Sequence, residues 1–430
     1  MKKVDISNRL HTMPVSSIRK LTPFVNPLKE QGIKIYHLNI GDPDVKTPGV
    51  MLDTLSHWSE NPIRYAHPWG EPKFLDALLA YYSKLGYPWL KRGDILATQG
   101  GSEALVMTFL GIADHGEEIL VFEPFYSNYA VCAAITGLKL MSVPTSIQTG
   151  FHLPDEKTIE KYLTPKTRAI LFCNPCNPTG TIYTKKEIES LVELAKKHNL
   201  FLLSDEVYRE YVFDKNSEVI SLLDYMQDMP EQAIMLDSLS KRYSLCGARV
   251  GNLVTLNQEL MNGLHKIAQS RLSGSLLAQV MGAELLEVPD RYMEEVVKEY
   301  HKRRDVLVEG LLKISGITTY KPEGAFYIMV ALPVDDADDF CKWLLTEFHP
   351  NNETMMLAPG SGFYGTPGAG KNEVRIAYVL NEKDLKRSLE ILKEALEEYR
   401  KKSIPHVIST GATSATRNGV EKSLSKIPAG

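Results

Sequence analysis

A chain of 430 residues with 43% apolar, 9% aromatic and 24% charged side chains has the make-up of an ordinary globular protein, which excludes a disordered chain or a fibrous repeat. With 49 Lys and Arg against 53 Asp and Glu the formal charge is −4, so gripping a nucleic-acid backbone is not its main work, and any anionic ligand must be held by a few placed cations. Five cysteines, an odd and sparse set, suit a reducing compartment, and no apolar leader follows Met1-Lys2-Lys3, so a cytoplasmic chain without a membrane span is expected.

Residues 34–40 (KIYHLNI) read as a short strand closed by the Gly41-Asp42-Pro43 turn, with a boundary near residue 48. From 49 to 290 strand-like segments, 169–173 (AILFC), 200–204 (LFLLS) and 233–237 (AIMLD), alternate with helical ones such as 185–198 (KKEIESLVELAKKH). This alternation predicts an α/β large domain over 49–290, a mostly parallel sheet flanked by helices, whose functional residues gather at the carboxyl ends of the strands. After Pro289 an amphipathic helix is expected over 290–314 and another over 385–399, where Leu385, Leu389, Leu392 and Leu396 share a face. Strand-like 325–331 (AFYIMVA) and 373–379 (EVRIAYV) lie between them, giving a smaller α+β domain over 291–401 that the 1–48 segment joins. Residues 402–430, rich in Ser, Thr and Gly and without an aromatic residue, predict a mobile tail.

The stretch 233–251 (AIMLDSLSKRYSLCGARVG) carries the most chemistry. A lysine just past a strand end, Lys241, can be held out of bulk water; desolvation and neighbouring cations lower an ammonium pKa, and the neutral amine forms a Schiff base with an aldehyde. Ser238 and Ser240 before it and Arg249 beyond it suit a phosphate dianion, although a solvated turn has the same composition. Asp205, after four largely apolar residues, needs a cation or donor to meet it: a protonated pyridine nitrogen serves, and so does a plain cap on a following helix. Asn177, in the stiff turn NPCNPTG over 174–180, and the GGSEAL helix start over 100–105, whose free N–H groups make an anion site, complete the set. Each is weak alone; together, at the mouths of strands and a helix, they suggest an aldehyde that carries a phosphate.

Other patterns fail on context. The GSGFYG stretch over 360–365 lacks a crossover helix and a suitably spaced acid, and GTPGAGK over 365–371 is followed by Asn372 where a phosphate loop needs Ser or Thr. Cys173 and Cys176 have no second Cys or His pair, and the 11 histidines form no metal motif, so no metal site is expected.

In chain order, GGSEAL, NPCNPTG, SDEVY, SLSKRYSLCGARVG and VRIAYV resemble the signatures of the class I/II, fold-type-I aminotransferases, the bacterial aspartate-type members in particular, over roughly residues 34–395. The resemblance implies pyridoxal 5′-phosphate as cofactor and transfer of the amino group of an L-amino acid to a 2-oxo acid, 2-oxoglutarate first among them, with ping-pong kinetics. It makes Lys241 the Schiff-base lysine and the base of the proton transfer, and places Asp205 at the ring nitrogen. Tyr208 and Asn177 would bond the ring hydroxyl, and Tyr126, beside Phe125, would stack on the ring. Gly101, Ser102, Glu103, Ser238 and Arg249, with Ser240, would take the phosphate. Arg375 would grip the substrate α-carboxylate beside the Gly41 backbone. Tyr65, in YAHPWG, resembles the tyrosine that reaches the partner subunit's phosphate, which implies a homodimer with shared sites. Arg19 is a candidate reader of a side-chain carboxylate. Ser102 stands where some aspartate-specific relatives place a lysine, so alanine, aromatic and branched-chain donors stay open. The same residues would serve a lyase or decarboxylase using this cofactor. A regulator built on the fold would need a DNA-binding module, for which forty residues are short. Neither a nucleic acid nor a membrane is an expected partner.

Overall fold

The computed structural model describes residues 4–214 and 217–403; the expected tail lies outside the described residues from 404 onward. Its strands in chain order are β1 (Lys34–His37), β2 (Ile95–Thr98), β3 (Glu118–Glu123), β4 (Lys139–Pro144), β5 (Thr167–Cys173), β6 (Phe201–Asp205), β7 (Ala233–Ser238) and β8 (Gly251–Val254). These are followed by β9 (Thr318–Thr319), β10 (Tyr327–Ala331), β11 (Glu353–Met356), β12 (Ala358–Pro359) and β13 (Glu373–Ala377).

The central sheet has the order β2-β8-β7-β6-β5-β3-β4; β8 runs against both neighbours, and the other pairings are parallel. Its inner strands are almost wholly apolar because both faces are covered. Alternate residues serve opposite cores: Ile119, Val121, Leu171 and Leu203 pack with the Gly101–Ile112 helix, while Leu120, Phe122, Ile170 and Leu202 pack with the Lys185–His198 helix. That second helix spans the residues its periodicity predicts. It opens with a reciprocal cap between Thr184 and Glu187 and ends on Asn199 at φ 51°.

A smaller antiparallel sheet, β12-β13-β10-β9, packs with the Asp290–Leu311 and Glu382–Ser403 helices. Strand β1 pairs in parallel with β11, Lys34 opposite Glu353, so Leu21, Val25 and Leu28 of the N-terminal segment share a core with Leu307, Phe340 and Leu392. Among the described residues no helix is long and apolar enough to cross a membrane.

Strand polarity positions the site. The carboxyl ends of β2, β3, β5, β6 and β7 open on one edge of the large sheet, and β8, being antiparallel, begins there, with Gly251 opposite both Ser238 and Thr98. Glycine is required at 251: a Cβ would lie 2.7 Å from the Asp237 carbonyl oxygen and 3.0 Å from the Gly100 Cα.

Candidate active site

A cavity of about 630 Å³ opens at this edge, bounded on one side by the small sheet and the N-terminal segment. Strand β7 ends at Ser238 and turns once through Leu239–Arg242, with the Ser238 hydroxyl accepting the Ser240 N–H. The turn is fixed from behind: the Tyr211 hydroxyl donates to the Lys241 carbonyl at 2.7 Å, and buried Arg242 donates to Asp237 at 2.8 Å. The Lys241 amine then reaches into the cavity, donating to the Gly41 carbonyl at 2.6 Å and to the Cys246 sulfur at 3.3 Å. Burial pushes its pKa down, but Tyr327, Cys246 and Tyr126 act the other way and the net direction is up, contrary to expectation. Its neighbours are a carbonyl, a thiol and phenols, not the cations the sequence suggested.

Asp205 is the last residue of β6 and is enclosed. It accepts the Tyr129 hydroxyl at 2.7 Å, and no helix follows it, so the capping alternative falls away. Burial raises its carboxyl from 3.8 to about 6, against the hydrogen bonds from Tyr129 and Val207 and with a further push from Asp237 and Glu206. Among the described residues no cation pairs with it.

Arg375 is the converse case. It stands on β13, an interior strand, and is 1% exposed. Nη1 donates to Asn177 at 3.0 Å, Nη2 donates to the Asn39 carbonyl at 2.5 Å, and among the described residues Nε has no partner. Tyr327 and Phe363 lie under the guanidinium at 4.4 and 4.9 Å, and burial lowers its pKa. Among the described residues no carboxylate neutralises it. Tyr126 and Tyr208 also line the cavity, whereas Phe125 is buried in the core with its N–H on the Phe363 carbonyl at 2.8 Å.

At the third corner the Gly101–Ile112 helix starts from Gly100 at φ 78°, where a Cβ would meet the Arg249 guanidinium at 2.9 Å. The unpaired N–H groups of its first turn face an anion site by their polarity. Ser102, Ser238, Ser240 and Arg249 line the cavity. Arg249 holds a left-handed φ of 61° and donates to the Cys246 carbonyl at 3.0 Å. Two expected residues stand apart. The Glu103 carboxylate accepts the Gln99 N–H at 2.6 Å and pairs with Arg271 at 2.7 Å, and Tyr65 is 78% exposed; neither lines the cavity. Arg19 lines it, on a segment tied down by the Asn39 amide to Ile18 and by the Lys20–Asp338 ion pair.

The sequence did not single out Tyr129, Asn39, Cys246 or Tyr327. Tyr129 follows Tyr126 by three residues at a helix start, a spacing that points both to one side; Asn39 and Tyr327 carry no local signal. The Gly-rich 360–371 stretch is used structurally: the Gly365 and Thr366 N–H groups donate to the Glu123 carboxylate at 2.8 and 3.0 Å. All five cysteines are free thiols.

The three corners suit one ligand: a ring with a protonatable nitrogen against Asp205, a phosphate at the helix start, and an aldehyde toward Lys241, with Arg375 left for a substrate carboxylate. A family model for class I and II aminotransferases matches residues 33–392. The aspartate aminotransferase of Thermotoga maritima is 29% identical over 91% of this chain and 99% of its own. The probable aspartate/prephenate aminotransferase of Aquifex aeolicus is 28% identical over 91% and 99%. Among solved structures, the aspartate aminotransferase of Thermotoga maritima superposes with a TM-score of 0.82 at 28% identity, covering 91% of this chain and all of the other. An alanine aminotransferase from Pyrococcus furiosus does so at 0.82 and 27%, covering 92% and 100%. The chain thus belongs to the class I and II aminotransferases, and is a pyridoxal 5′-phosphate-dependent enzyme of that family.

Proposed function

We propose that the enzyme moves the amino group of an acidic L-amino acid, aspartate foremost, to a 2-oxo acid such as 2-oxoglutarate, in two half-reactions at one site. The observation that carries an amino-acid substrate is Arg375: a buried guanidinium with an unpartnered Nε beside Asn177, in the same cavity as Lys241 and Asp205, is a cation whose anion the substrate's α-carboxylate supplies, and the acidic preference rests on Arg19 in that cavity.

Bound pyridoxal 5′-phosphate supplies an electron sink for the charge left when the substrate Cα–H bond breaks. Arg375 and Asn177 hold the α-carboxylate and so orient the rest of the substrate. Lys241 Nζ, hung from the Gly41 carbonyl, takes the Cα proton and returns it at the other end of the transfer. Asp205 holds a proton on the ring nitrogen, and Tyr129 fixes that carboxylate. Tyr208 and Asn177 bond the ring hydroxyl and Tyr126 covers the ring face. Gly101, Ser102, Ser238, Ser240 and Arg249 hold the phosphate, with Glu103 acting through the backbone of its helix turn.

A second copy of the chain completes the site. Ile63, Tyr65, Trp69 and Leu272 are 58, 78, 36 and 54% exposed on neighbouring segments, joined by the Arg271 bond to the Pro68 carbonyl. Apolar surface of this kind suits a partner subunit, to whose phosphate Tyr65 would reach. We place the enzyme in the cytoplasm and divide it into a large unit, 49–290, and a small one formed by 1–48 and 291–401; the shared core of the N-terminal segment supports that division.

Arg19 is the cavity cation left for a side-chain carboxylate. In a panel of amino donors the enzyme favours acidic ones, and Arg19→Ala lowers kcat/KM for aspartate by roughly 10- to 100-fold while leaving alanine nearly unchanged, the worth of one charge-assisted hydrogen bond. Equal loss for both donors, or none, removes Arg19 as the reader of the side chain, and a panel in which acidic donors are not favoured removes the acidic preference.

A further inference from the structure

Tyr327 is assigned no role above, yet it meets Tyr208, Arg375 and the Gly41 backbone at once. It opens β10 opposite Ala377, which puts its side chain on the same sheet face as Arg375. Its ring lies under the Arg375 guanidinium at 4.4 Å, its hydroxyl is 2.8 Å from the Tyr208 hydroxyl, and it is 2% exposed. The Gly41 backbone, whose carbonyl takes the Lys241 hydrogen bond, packs directly on the same hydroxyl: a Cβ at Gly41 would lie 1.8 Å from it.

We infer that Tyr327 is a positioning residue that holds the two halves of the site in register, its hydroxyl on Tyr208 and its ring face on Arg375. The inference rests on the roles proposed for Tyr208 and Arg375. If Tyr208 donates to the cofactor's ring hydroxyl, Tyr327 is left to donate to Tyr208, and a donor that itself accepts a hydrogen bond donates more strongly. The ring face stabilises the buried guanidinium by its quadrupole without neutralising it, so the cation stays available to a carboxylate.

The two ends separate by substitution in the holoenzyme. Tyr327→Phe keeps the ring and removes the hydroxyl. The pH midpoint of the cofactor's visible absorbance change is expected to rise by about 0.3 unit, roughly a twofold change in proton affinity, with KM for the amino donor within about twofold of wild type. Tyr327→Leu removes both ends, and is expected also to weaken inhibition by maleate, a dicarboxylate without an amine, by roughly 3- to 30-fold. An unmoved midpoint in Tyr327→Phe, or unchanged maleate inhibition in Tyr327→Leu, overturns the inference. A wild-type enzyme without a pH-dependent visible band, or a Tyr208→Phe variant with an unmoved midpoint, overturns the assignment of Tyr208 itself.

Discussion

Lys241→Ala is expected to lower kcat by roughly 10⁴-fold or more while leaving the fold intact. The variant loses both the amine that joins the cofactor and the base that moves the proton; positioned acid–base catalysis alone is worth up to about 10⁴-fold. Among the described residues no other amine lines the cavity, whose remaining cations are the guanidinium groups of Arg19, Arg249 and Arg375. The turn around residue 241 is held by its backbone, through the Tyr211 hydroxyl and the Arg242–Asp237 pair, so truncation of the side chain leaves those anchors in place. Circular dichroism should match wild type while single-turnover formation of product from a bound amino acid disappears. Activity within tenfold of wild type would remove Lys241 from the chemistry.

Asp205→Asn is expected to act in opposite senses with and without cofactor. In the cofactor-free chain burial raises the Asp205 carboxyl from 3.8 to about 6, with no cation beside it. Between about pH 4 and pH 6 the folded chain therefore keeps a proton that the unfolded chain has released, so stability falls as pH rises through that window. The full cost, about 3 kcal/mol, stands above it. Asparagine carries no charge, and the cofactor-free variant should be more stable than cofactor-free wild type by about that amount at pH 8, the difference closing below pH 4. With cofactor bound the sense reverses: the carboxylate meets the ring nitrogen's positive charge, and its loss should cost roughly 10²- to 10³-fold in kcat. Denaturant titrations of both forms at pH 4 and pH 8 measure the stability term. A cofactor-free variant less stable than wild type at pH 8 would mean that the Asp205 charge is already compensated within the chain.

Much of this arrangement was legible in the sequence because it is local. The Lys185–His198 helix declares itself by periodicity and by Thr184 and Glu187 three residues apart; β6 and β7 by apolar runs that end on Asp205 and Ser238. Asp205 closes β6, Lys241 and Asn177 lie within one turn of the ends of β7 and β5, and a parallel sheet sends all such ends to one edge. What was not legible depends on pairings distant in the chain. That Tyr327, one of 20 tyrosines, faces the cavity follows from β10 lying against β13, and Asn39 meets Arg375 only because β1 docks on the small unit. The Glu103 carboxylate is drawn from the expected phosphate site by Arg271, 168 positions away. The direction of the Lys241 shift is set by Tyr327, Cys246 and Tyr126 against burial, and only Cys246 belongs to the same stretch.

Reducing the holoenzyme with borohydride and mapping the labelled peptide tests the covalent centre most directly. One cofactor label per chain on Lys241 is the predicted result. A label on any other residue, or a protein that binds the cofactor and takes no label, would contradict the assignment of this cavity as the active site.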